Sequence, residues 1–133
     1  MRTRLIAAAL MLAVPLLLAC PSCTGAPQSQ QKQLLLPVCV DDKWGYMDNT
    51  CTLVVNPQFD LASHFSEGLA AVRIGDSNTG KWGYIDETGE FIISPQFDDA
   101  QEFFEGLAFV WIGDFPEGKR AQIDKTGKID RGW

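Results

Sequence analysis

Few side chains in these 133 residues have the types and spacing that chemistry needs. The one histidine, His64, has no second imidazole with which to hold a metal or run a nucleophilic triad. Cys20-Pro21-Ser22-Cys23 has redox-motif spacing, but thioredoxin-like use requires a βαβ context. The carboxylates Asp98, Asp99, Glu102 and Glu105 crowd one short segment, with Asp60 and Glu67 as a thinner version upstream. Crowded acids can bind calcium or serve as a general acid and base. Neither the fixed spacing of a calcium loop nor a partner carboxylate on a second element is recognisable, so a solvated acidic loop is the expectation. No glycine-rich phosphate cradle and no nucleophile elbow occurs. These residues predict a protein that is not an enzyme, with no metal and no cofactor.

The elements that position these residues start after an export signal. Arg2 and Arg4 precede an apolar run over 5–18, and Ala19 precedes Cys20. The run is short of the roughly 20 residues a spanning helix needs, and Pro15 interrupts it. Leu17-Leu18-Ala19-Cys20 resembles the lipobox of bacterial lipoproteins, which implies cleavage after residue 19 and lipidation, palmitate included, of Cys20. The alternative is a plain secretory signal cut near Ala19. Residues 20–33 then form a lipidated cysteine and a Pro-, Ser- and Gln-rich tether, too polar to repay the entropy of ordering. The folded domain is expected over 34–133. Without residues 1–19 the chain carries 9 basic against 17 acidic side chains. Such a charge repels a phosphate backbone, so nucleic acid is excluded as a partner, and attachment to a membrane falls to the N-terminal lipid.

The strongest signal is an internal repeat. Residues 43–80 match residues 81–118 at 21 of 38 positions. A third copy, 119–133, keeps Ile123, Asp124, Thr126 and Gly127 but has Arg120-Ala121-Gln122 where the others have Trp-Gly-Tyr. Replacing large aromatics by polar residues suits a capping unit. Lys81-Trp82-Gly83-Tyr84-Ile85-Asp86, Thr88-Gly89, Pro95-Gln96-Phe97-Asp98 and Phe104-Glu105-Gly106-Leu107-Ala108 together resemble the WG-repeat (KWG-repeat) proteins, over about residues 34–130.

The predicted fold is all-β: stacked three-stranded meander or hairpin repeats of about 38 residues with a truncated C-terminal cap. Trp82 and Tyr84 alternate along one strand, Thr88-Gly89 turns, Phe91 to Ile93 return, and Pro95 ends the second strand. Trp44, Gly45, Tyr46 and Phe59, with Trp82, Gly83, Tyr84 and Phe97, are expected to form the core between copies, each glycine letting an indole lie on bare backbone. Cys39 and Cys51 could bridge in an oxidising compartment, although their strand positions argue for a wide separation, and the sequence leaves the question open. On the third strand Ala70, Val72 and Ile74 match Ala108, Val110 and Ile112 as the expected core face, whereas Ala71 and Arg73 become Phe109 and Trp111. Leu107, Phe109 and Trp111 therefore project from the other face as a partner surface, unless Phe115 or the tail with Trp133 covers them.

The function predicted is a non-catalytic binding module anchored in the bacterial cell envelope, in the outer membrane facing the periplasm or the exterior, with an envelope protein or cell-wall glycan as partner. The alternative is a lipoprotein inhibitor that offers its acidic loop to a cell-wall-lytic enzyme. Hydrolysis by a carboxylate pair that includes Glu105 is a third reading.

Overall fold

Strand pairing opens at a two-residue turn. Asp41 and Asp42 both take positive φ, 50° and 63°, the backbone of a tight hairpin turn that short polar side chains tolerate. The turn joins β1 (Leu36–Val40) to β2 (Lys43–Met47) with Val40 opposite Lys43 and Cys39 opposite Trp44. The computed structural model describes residues 33–132; the signal segment, the tether up to residue 32, Cys20 and Trp133 lie outside the described residues. Residues Leu34–Trp133 form one compact unit.

The unit is all-β. β3 (Leu53–Phe59), β4 (Leu61–Ala62) and β5 (Ala70–Ile74) complete the first copy. β6 (Lys81–Ile85), β7 (Phe91–Phe97), β8 (Asp99–Ala100) and β9 (Leu107–Ile112) repeat the order. β10 (Lys119–Asp124) and β11 (Ile129–Gly132) are the partial third copy. Each full copy thus has a fourth, two-residue strand beyond the three expected. All pairings are antiparallel, in three sheets ordered β1-β2-β3, β4-β5-β6-β7 and β11-β10-β9-β8. Sheets and sequence copies are out of phase: the last two strands of one copy pair with the first two of the next. β1 fills the place of a preceding copy's last strand.

Each sheet junction is a core. The first holds Tyr46, Val55 and Phe59 against Ala70, Val72 and Ile85, with Trp44 packed beside them. The second holds Ala71, Tyr84, Ile93 and Phe97 against Ala108, Val110 and Ile123, with Trp82 at its margin. Tyr46 and Tyr84 have no exposed surface. Their hydroxyls donate to the carbonyls of Ser63 (2.7 Å) and Gln101 (2.6 Å), so burial strands no polar atom. Desolvation raises both phenol pKa values far above the ordinary range. A buried aromatic of this size contributes roughly 1.5–3 kcal/mol from removal of apolar surface.

Four expectations need correction. Pro95 does not end its strand, nor does Pro57, its counterpart in the first copy: β7 and β3 run on to Phe97 and Phe59, and the prolines sit where the register slips, between the Tyr84–Ile93 and Trp82–Phe97 pairs and between Tyr46–Val55 and Trp44–Phe59. A bulge tolerates a residue that has no N–H to give. Gly45 and Gly83 admit backbone, not an indole: a Cβ on Gly45 would lie 2.4 Å from the Val55 oxygen, and one on Gly83 2.6 Å from the Ile93 oxygen. Ile74 and Ile112, assigned to the core, are exposed at the strand ends. Ala71, assigned to the outward face, is buried because the middle sheet is covered on both sides.

One hydrogen-bond device recurs at the tip of the hairpin that opens each copy. The Oδ1 of Asp86 accepts from the backbone N–H and hydroxyl of Thr88 and from the N–H of Glu90. Asp124 does the same with Thr126 and Lys128, and Asp48 with Thr50 and Thr52. The residue three on from each aspartate is left-handed: Gly89 (φ 91°), Gly127 (φ 85°) and, in the first copy, Cys51 (φ 63°).

Candidate functional site: the aromatic end of the repeat array

The last sheet is built from strands that correspond to those of the middle one, with the large side chains exchanged across the ladder. In the middle sheet Ala71 lies opposite Tyr84 and Arg73 opposite Trp82. In the last sheet Phe109 lies opposite Gln122 and Trp111 opposite Arg120. Directly opposed residues share a face, so the ring that β6 carries in one sheet is carried by β9 in the next. Ala108 and Val110 are buried in the second core, while Leu107, Phe109 and Trp111 are half-buried on the reverse face. The Arg120 guanidinium lies 4.2 Å from the Phe109 ring centre, a cation–π contact. Phe115 stacks obliquely on Trp111 at 6.1 Å but remains 86 % exposed itself. The face is therefore dressed by Arg120 and Phe115 without being sealed.

The acidic segment divides. Asp98 is structural: it accepts from the Lys81 ammonium and, at 2.7 Å, from the Gly113 N–H. Asp60 repeats this with Lys43 at 2.7 Å and Gly75 at 2.8 Å. In both, the lysine and then the glycine N–H hold the carboxyl below the usual carboxylate range. The aspartate ties the start of a copy's first strand to the turn that leaves the copy, which is why Lys, Asp and Gly recur together. Asp99 is exposed on β8 opposite Trp111. Glu102 is exposed in the following loop, and Glu105 occupies the left-handed position (φ 53°) of a tight turn. Its counterpart Glu67 accepts from the Gly106 N–H at 2.9 Å and pairs with Lys125 at 3.2 Å, a strap between copies. The four acids do not form one loop surface.

Cys39 and Cys51 are free and exposed, so the bridge left open by the sequence is not formed. Register explains this: Cys39 lies beside Trp44 on β1, while Cys51 is in the turn beyond the far end of β2. His64 is exposed in a loop. Among the described residues no group of three or more His, Cys, Asp or Glu side chains is placed to hold a metal ion.

A cleft of about 380 Å³ adjoins Trp111, lined also by Phe115, Asp98, Asp99, Asp114, Ser77 and Asn78. Sequence reasoning passed over it. The signal was available in the turns that leave the two copies, Gly75-Asp76-Ser77-Asn78-Thr79-Gly80 and Gly113-Asp114-Phe115-Pro116-Glu117-Gly118, which agree only at Gly, Asp and the final Gly.

Offset four-stranded sheets on a 38-residue period define an all-β repeat protein. The model of the WG containing repeat matches residues 44–77 and 82–114, and the chain belongs to that family. No curated protein and no solved structure is detectably similar to it. Membership of the WG family suggests a repeat-based binding module.

Proposed function

We propose that the protein is a non-catalytic binding module held in the bacterial cell envelope by a lipid on Cys20. The observation that carries the binding reading is the half-buried aromatic face of β9, Leu107, Phe109 and Trp111, where the middle sheet has Leu69, Ala71 and Arg73. The repeat fold closes its cores without those rings, so their retention on an open face favours a partner surface. An envelope protein or a cell-wall glycan suits a flat aromatic face beside polar strands; nucleic acid does not suit a chain of formal charge −6. Anchoring rests on the lipobox and the tether.

The test is affinity capture from native envelope, using the wild type and Phe109→Ala. Capture lost in a variant that still unfolds cooperatively supports the reading. Capture that persists while stability falls makes Phe109 a packing residue and removes the reading. Cys20→Ala should shift the protein from the membrane to the soluble fraction. A second reading, inhibition of a basic lytic enzyme, retains the exposed Asp99 and Glu102 but loses Asp98 to its ion pair. Salt-sensitive inhibition of lysozyme would favour it.

A further inference from the structure

The two copies differ most where the cleft lies, and the first copy shows what the second lacks. In the first copy Leu61 lies opposite Arg73. The Arg73 guanidinium is close enough to Asp60 and Asp76 to help lower both carboxyl pKa values, after the hydrogen bonds from Lys43 and Gly75 to Asp60 and from Thr79 and Asn78 to Asp76. Asp60 and Asp76 thus face Lys43 and Arg73, two charges against two. In the second copy the pair opposite one another is Asp99 and Trp111. Asp98, Asp99 and Asp114 line the cleft. Lys81 is engaged by Asp98, and Arg120, which lines the neighbouring recess with Asp99, is held over the Phe109 ring. On this strand the cation has been exchanged for an indole, its arginine now standing one strand further on as Arg120, and a carboxylate, Asp99, has been added on the other side of the indole.

The turn changes in the same sense. Asp76 spends its Oδ1 on the N–H groups of Asn78 (2.8 Å) and Thr79 (2.7 Å) and on the Thr79 hydroxyl. The second turn closes through the same backbone bond, Gly118 N–H to the Asp114 carbonyl. Pro116 now stands where Asn78 gave its N–H, and Glu117 stands where Thr79 gave its hydroxyl. The Asp114 carboxylate has no hydrogen-bond or ion-pair partner among the described residues, and neither has that of Asp99. Phe115, replacing Ser77, adds a second ring beside Trp111.

We propose that this cleft binds an organic cation, an ammonium or guanidinium group carried on an apolar stem. Trp111 and Phe115 cover the stem and offer ring faces to the charge, Asp99 and Asp114 receive it, and Ser77 and Asn78 complete the lining. The ligand's cation takes the place that Arg73 fills in the first copy. The inference rests on the binding-module reading and names the chemistry of one of its sites.

The experiment is an NMR titration of the isotope-labelled purified protein, following the Trp111 indole N–H and the Gly113 and Gly118 amides. The probes are N-acetyl-lysine methylamide, N-acetyl-arginine methylamide and the neutral N-acetyl-norleucine methylamide. Saturable shifts with the two cationic probes, weaker at high salt and absent with norleucine, are expected. Asp99→Leu, which restores the first copy's residue, and Asp114→Asn should each weaken binding about two- to fivefold, as exposed ion pairs do. Trp111→Arg should abolish it by refilling the site from within. A short Lys- and Arg-containing peptide and spermidine separate the sources: the tighter of the two tells whether the cation arrives on a polypeptide or as a small polyamine. Equal binding of norleucine, no saturable shift with any cation, or affinity unchanged in Asp99→Leu would overturn the proposal. The surface reading fails separately, because Phe109→Ala tests it without altering the cleft's carboxylates.

Discussion

At the scale of single residues, the backbone sets the sharpest constraints. A methyl group on Gly83 meets the carbonyl of Ile93 and the ring nitrogen of Pro95, both main-chain atoms that cannot step aside. Gly83→Ala should therefore destabilise the unit by about 1–3 kcal/mol, the range of overpacked sites. Gly132→Ala, with nothing within 4 Å of the new carbon, is the control and should leave the urea midpoint unchanged. Equal midpoints for the two variants would show that the strands can part at Gly83 without loss. Cys51 makes the converse case. Its left-handed backbone is held by glycine in both other copies, so Cys51→Gly should raise stability by about 1 kcal/mol, measured in the same denaturation. Sequence alone marked Gly45 and Gly83 as special because one glycine follows the tryptophan in each copy. It did not show that the neighbour was a bulged strand, since a bulge depends on the register of two segments and leaves no mark in either one.

At the scale of elements, the hairpins were readable and their extensions were not. Trp-Gly-Tyr, a Thr-Gly turn and an apolar return strand announce β6 and β7 by period and turn chemistry. The two-residue strands β4 and β8 carry no periodicity, because their pairing is imposed by the strand beside them. The aspartates after the prolines looked like loop acids, yet Asp60 and Asp98 are clasps between a strand start and a turn. Their consequence is a pH dependence whose sign follows from the direction of the shift. A carboxyl with a lowered folded pKa binds protons less readily folded than unfolded. Its stabilisation is fully present above the unfolded value of about 3.9 and is lost as pH falls through the lower folded value. The urea midpoint should hold from neutral pH to about pH 5 and drop below about pH 4, less steeply in Asp60→Asn/Asp98→Asn. An unaltered acid limb in that double variant would assign the dependence to other carboxylates, such as Asp86 and Asp124, whose pKa values are also lowered by threonine hydroxyls.

At the scale of the whole unit, the period of 38 residues announced stacking, and the stacked cores follow from it. The partition of strands among sheets did not follow, because a repeat can be cut anywhere along its period and still match itself. Only the ladder shows that β5 belongs with β6 and β9 with β10. The same offset explains why Ala71 was placed on the wrong side: a strand at the join serves two cores, and alternation along it cannot tell solvent from a second interior. The Phe109 and Trp111 substitutions were visible as breaks in symmetry. The cleft beside them was not, because it is walled by turns from both copies.

The stagger of strands also shapes synthesis. A nascent chain halted near residue 80 has made β5 but not the β6 that pairs with it, so one rim of a hydrophobic ladder is bare until translation advances by a further strand. Each new period shields the rim left by the one before, and the array becomes safe from mispairing with other nascent chains only as its ends are laid down.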